Sequence, residues 1–183
     1  MKKILLCLTF SLLGIVGFAQ AGHLKFLEFE MGGPLKEFYQ NVISKGFSTD
    51  YPPRVLWKAN SDAQVRGRFA GQEDARIQIC AKNNMVDMVI VAFPAKETWE
   101  DAKLNYLTLW DAFSKKYSVD KSKEAGNLDV EGEKCTSRFD VIDGVILLSL
   151  EDKNGGYAVS ITYADRPGNG HSTGRDSSVM GDI

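Results

Sequence analysis

The chain has 183 residues, 44% of them hydrophobic and 25% charged, with a formal net charge of −2 at pH 7. That apolar share supports a folded core and excludes a disordered chain. The mild acidity excludes the concentrated positive field that nucleic-acid binding requires, so no nucleic-acid partner is expected.

Residues 1–21 read as a secretory leader. Lys2 and Lys3 supply the positive start, Ile4 to Phe18 the apolar core, and Ala19-Gln20-Ala21 a small-x-small cleavage site. The apolar run is shorter than the ~20 residues a spanning helix needs, and no later stretch approaches that length. The expected product is a periplasmic or secreted chain without a transmembrane segment, starting at Gly22, or at Gln20 if cleavage follows Ala19. Cys7 lies too early, inside the apolar core, to be a lipid-anchored cysteine. Loss of the leader removes two lysines and no acid, so the net charge falls from −2 to −4. The remaining chain suits one domain, or two small halves sharing a core.

After the leader, His23 to Met31 alternates as a strand with Leu27, Phe29 and Met31 on one side. Gly32-Gly33-Pro34 turns the chain, and Pro34 fits the first position of a helix. That helix carries Leu35, Phe38, Tyr39, Val42 and Ile43 at helical spacing and stops at Gly46. Tyr51-Pro52-Pro53 marks a turn, followed by a short strand over Val55–Lys58. Three strands are predicted at Gln64–Ala70, Asp74–Lys82 and Met85–Phe93, with Asn83-Asn84 as a tight hairpin. A long helix over Trp99 to Lys116 follows, capped by Thr98 with Asp101 in the capping-box position. The charged stretch Lys121 to Glu133 reads as a connection. Strands return at Lys134–Val141, Val145–Glu151 and Tyr157–Ala164, the last two joined by the turn at Asp152 to Gly156. From Pro167 the composition is Gly, Ser and Asp without periodicity, which reads as a mobile tail.

Two parts of this order look alike. Ser44-Lys45-Gly46-Phe47-Ser48 is echoed by Ser114-Lys115-Lys116-Tyr117-Ser118, and Arg68-Phe69 by Arg138-Phe139, both at an offset of 70 residues. Each half thus reads as a helix followed by a three-stranded meander. The expected fold is an α+β two-layer sandwich, an antiparallel sheet with helices on one face, built from two pseudo-repeated helix–three-strand units. The units divide as residues 22–95 and 96–166, followed by the tail at 167–183.

Side chains alternate across a strand, so the apolar positions mark the covered face. Ala75, Ile77, Ile79, Phe69, Phe139, Ile146, Leu148 and Leu150 fall on that side. Arg66, Arg68, Arg76, Lys82 and Arg138 then share the opposite, wet face. This arrangement is either a basic platform for an acidic partner or a solvated face that blunts aggregation. Tyr51 and Trp57, in the Pro-rich stretch, are a second candidate contact. Cys135 points inward and Cys80 outward, an arrangement that opposes a disulfide unless a bulge intervenes. A bond between them and two separate thiols both remain open at this point.

Catalytic chemistry finds little material. The mature chain holds only His23 and His171, one near each end, and no ligand set has zinc spacing. Gly67-Arg68-Phe69-Ala70-Gly71 is not followed by a helix and cannot cradle phosphate. No catalytic residue, metal ligand or cofactor is assigned.

The stretches Gly33-Pro34-Leu35-Lys36-Glu37-Phe38, Lys45-Gly46-Phe47, Gly67-x-Phe69-Ala70-Gly71, Phe93-Pro94…Trp99 and Gly181-Asp182-Ile183 resemble small exported proteins of gut Bacteroidota. That resemblance implies export and carries no catalytic residues with it. The tandem layout also resembles the duplicated fold of the β-lactamase-inhibitor protein and related envelope-assembly modules, which implies protein binding. The expectation is an exported, non-enzymatic binding or envelope-associated module with a protein or glycan partner. The alternative is a hydrolase of cell-wall or glycan material using a carboxylate pair that the spacing does not single out.

Overall fold

A computed structural model describes residues 22–49, 62–117, 124–153 and 155–166. The leader, the Tyr51 and Trp57 stretch with its short strand, and the tail with His171 lie outside the described residues. Among the described residues, no helix is long and apolar enough to cross a membrane.

The first element differs from expectation. In place of one strand, β1 (Lys25–Phe26) and β2 (Phe29–Glu30) form a small hairpin. Leu27 and Glu28 make its turn in left-handed backbone, with φ of 50° and 74°. This backbone is costly for residues with a side chain. Burial of Leu24, Phe26 and Met31 offsets the cost, and Phe26 stacks on Phe69 at 5.6 Å. The turn reverses the alternation, so Leu24 and Phe26, rather than Leu27 and Phe29, join Met31 inside.

Helix α1 (Leu35–Ser44) buries Leu35, Phe38, Tyr39 and Val42 on one stripe. Pro34 is its N-cap, outside the first turn, because its ψ of 134° is extended. Strands β3 (Ala63–Phe69), β4 (Gln72–Lys82) and β5 (Met85–Ala92) form an antiparallel meander. Asn83 and Asn84, with φ of 53° and 64°, make the tight turn their amide side chains tolerate. Helix α2 (Trp99–Lys116) starts where Thr98 accepts the Asp101 N–H at 3.2 Å and donates to its carboxylate at 2.7 Å. Glu100 and Asp101 in the first turn and Lys115 and Lys116 in the last complement the helix dipole. A second meander follows, of β6 (Cys135–Val141), β7 (Gly144–Lys153) and β8 (Gly156–Asp165).

The fold is mixed α+β. Its six-stranded antiparallel sheet runs β3-β4-β5-β8-β7-β6, with β5 and β8 paired at the centre. Directly paired residues share a face, so the register reads off both sides. Val65, Ile77, Val91, Ile161, Leu148 and Ser137 form one row across the strands, and each is buried. Ala63, Ile79, Val89, Tyr163, Ile146 and Phe139 form the next. Phe113 of α2 packs on Phe139 at 5.6 Å, and Tyr106 of α2 hydrogen-bonds Ser137 at 2.7 Å. Helix α1 contacts β3, β4 and β5, while α2 contacts β7 and β8.

The predicted charged connection is only partly that. Ala125 exchanges both backbone hydrogen bonds with Thr136 on the outer edge of β6. Lys103 and Trp99 of α2 hold Asp129 and the Leu128 carbonyl.

Candidate functional site

The opposite face of the sheet has a different composition. One row runs Arg66, Arg76, Ala92, Ser160, Ser149, Thr136, and the next runs Gln64, Gln78, Ile90, Thr162, Leu147, Arg138. Every residue in both rows is half-buried or exposed, and no described helix lies on them. Small side chains at Ala92, Ser160 and Ser149 leave a low lane across the central strands, leading away from the two arginines.

The five basic residues expected on this face do not form one cluster. Arg66 and Arg76 sit directly across from each other on β3 and β4. Arg68, further along β3, pairs with Glu73 at 3.3 Å with both side chains about 70% exposed, a geometry that contributes little. Lys82 ends β4, roughly 20 Å along the strand from Arg76 at ~3.4 Å per residue. Arg138 lies on the far edge strand, roughly 19 Å across four strand spacings from β4. It is met by Asp140 at 3.0 Å, a carboxylate that Arg166 also approaches at 3.4 Å. Among the described residues, Arg76 and Lys82 have no ion pair. Like charges directly opposed across two strands are unfavourable. Arg66 and Arg76 thus stand side by side at one end of the lane.

Cys80 and Cys135 are both free thiols, which excludes the disulfide that the sequence left open. They sit on β4 and β6 with three strands between them, far beyond disulfide reach. A bulge does occur at β4, where the register steps from Cys80↔Met88 to Ala81↔Val86, but it cannot bridge that span. Burial, with Glu133 nearby, pushes the Cys135 thiol up and keeps it protonated. It lines a cavity of about 210 Å³ between α2 and β6, together with Tyr106, Trp110, Leu128 and Ser137. Burial raises the Tyr106 hydroxyl to about 12 despite its bond to Ser137.

A second cavity of about 380 Å³ lies between the β1–β2 hairpin and α1, lined by Phe29, Phe38, Lys25, Glu28 and Glu37 among others. The Lys45 hydrogen bond holds the Glu28 carboxyl below the usual range. Lys103 does the same to Asp129. At Glu151 burial acts upward, but Lys153 and Lys134 outweigh it and the carboxyl is held low. All three carboxylates are thus kept ionised, whereas a general acid needs the opposite shift. Among the described residues, no group of three His, Cys, Asp or Glu side chains could hold a metal ion.

One polar cluster escaped the sequence reading. The Asp165 carboxylate is 3% exposed, accepts the Leu24 N–H at 2.7 Å and meets His23 Nδ1 at 2.6 Å. Its signal was available in the alternation, since Asp165 shares a face with Val159, Ile161 and Tyr163. An acid at an inward position needs a partner.

Compared with known proteins, the chain matches no family model, and no curated protein or solved structure matches it significantly.

Proposed function

We propose that the chain is an exported, non-enzymatic binding module of the cell envelope, and that the open sheet face is its contact surface. The observation that carries this reading is the directly opposed pair Arg66 and Arg76 at the head of a lane of small side chains that no described element covers. The partner is an acidic, extended protein segment. Its carboxylates meet the arginines while its backbone lies over Ala92, Ser160 and Ser149. The secretory leader and the resemblance to exported proteins of gut Bacteroidota support export, and the Tyr51–Trp57 stretch is the alternative contact.

The architecture behind this surface is read as a two-layer sandwich of two repeated helix–meander units. Three features support the repeat. Each helix comes before its own meander in chain order, the meanders meet through their third strands β5 and β8, and both edge strands are bridged at equivalent places. Ser48 bridges Arg66, and Ala125 bridges Thr136, two edge positions that lie 70 residues apart.

The test is titration of a fluorescent deca-glutamate peptide into the protein. Binding should weaken as salt rises and fall about tenfold in Arg76→Glu. An equally tight complex with Arg76→Glu overturns the platform. Turnover of chromogenic glycosides or esters would instead favour the hydrolase.

A further inference from the structure

We propose that hydrolysis of the Ala21–Gly22 bond creates a structural ion pair, in which the new α-ammonium group of Gly22 engages the Asp143 carboxylate. The inference rests on the export reading, because only a processed chain carries an amine at this position. Water adds its oxygen to the Ala21 carbonyl carbon, the C–N bond breaks, and Ala21 departs as a carboxylate. The Gly22 nitrogen takes up the protons and is an ammonium ion at neutral pH.

The geometry is local and specific. A Cβ built on Gly22 would lie 3.3 Å from Oδ1 and 3.4 Å from Oδ2 of Asp143, so the backbone of residue 22 rests against that carboxylate. Asp143 belongs to the β6–β7 turn, whose carbonyl accepts the Arg166 N–H at 2.9 Å just past the end of β8. Three carboxylates meet at this corner. Asp140 has Arg138 and Arg166, and Asp165 has His23. Among the described residues, only the Asp143 side chain at this corner lacks a cationic partner. One ammonium group at Gly22 completes the set.

The following residues are fixed as well. His23 and Leu24 are held by Asp165, and the Leu24 carbonyl accepts the Met31 N–H at 2.8 Å. The His23 ring lies 2.2 Å from where a Cβ on Gly32 would sit, so the hairpin closes over it only because residue 32 is glycine. Residues docked this way cannot lie extended in a peptidase, so cleavage precedes docking. The same geometry separates the two cleavage sites. Cutting after Ala19 would leave Gln20 and Ala21 between the amine and Asp143, up to about 7 Å of added chain.

The chain with its leader is expressed in an exporting bacterial host and the exported form is weighed by intact-mass spectrometry. Its melting temperature is then read with and without Asp143→Asn and with and without acetylation of the α-amine. The expected mass begins at Gly22. Asp143→Asn and acetylation should each lower Tm by about 1–3 °C, and the two together by no more than either alone. A mass starting at Gln20, or effects of the two changes that simply add, overturns the ion pair while leaving export intact. Retention of residues 1–21 overturns the export reading itself. For that case, a chain released at Gly22 by an engineered protease site still reads out the Asp143 coupling.

Discussion

The two faces of the sheet are made from the same six strands and solve opposite problems. On the covered face, the rows through Ile77 and Ile79 are buried from edge to edge, and Tyr106 with Ser137 is their hydrogen-bonded polar pair. On the open face, the rows through Arg76 and Gln78 carry mainly small, polar or charged side chains, with Ile90 and Leu147 among them, and every one is half-buried or exposed. The difference teaches that the apolar packing of the sheet is concentrated on one side. Charge divides the open face again. Around β6 and β7, Arg138 is answered by Asp140, and Lys134 and Lys153 by Glu151. On β4, Arg76 and Lys82 have no such answer among the described residues.

The largest effect should come from the covered face. Phe139 is fully buried against Phe113, so Phe139→Ala should cost about 3–5 kcal/mol in urea unfolding. Leu147→Ala, one strand away on the open face, should cost only about 1 kcal/mol. Equal losses would erase the distinction between the faces. Asp165→Ala comes next. It leaves the buried Leu24 N–H without its acceptor and frees His23, for a loss of about 1–3 kcal/mol by the same measurement.

Alkaline pH sharpens the comparison further. Tyr106 releases its proton at about 12 in the fold against an ordinary 10.0. The folded state therefore holds a proton that the unfolded state gives up, and this contribution is complete below pH 10 and lost as pH rises through 12. Urea midpoints at pH 8 and pH 11 should show a steeper alkaline decline for the native chain than for Tyr106→Phe. The smallest effect belongs to Arg76→Ala, which relieves the opposed Arg66 and should leave stability within about 0.5 kcal/mol.

Much of this was legible in the residues. The two helices and six sheet strands fall within two or three residues of their predicted bounds, because periodicity and turn chemistry agreed locally. Thr98 with Asp101 and the Asn83-Asn84 turn mark their ends without tertiary help. The alternation also placed Phe139 inward and Arg66, Arg76 and Arg138 outward. What stayed hidden depends on chain crossings. Strand order decides that Arg138 is far from Arg76 and that Cys80 cannot reach Cys135, and nothing local encodes it. The hairpin at Leu27-Glu28 was missed because neither residue belongs to the usual left-handed formers, and the driving force is Phe26 reaching Phe69. His23 looked like a loose terminus until β8 brought Asp165 beside it.

The most direct test of the binding surface is an amide chemical-shift map of the labelled protein titrated with the deca-glutamate peptide. The account predicts shifts at Arg66, Arg76, Ala92 and Ser160, with the amides of α1 and α2 unmoved. Shifts confined to the helices or to the cavity beside the β1–β2 hairpin would contradict it.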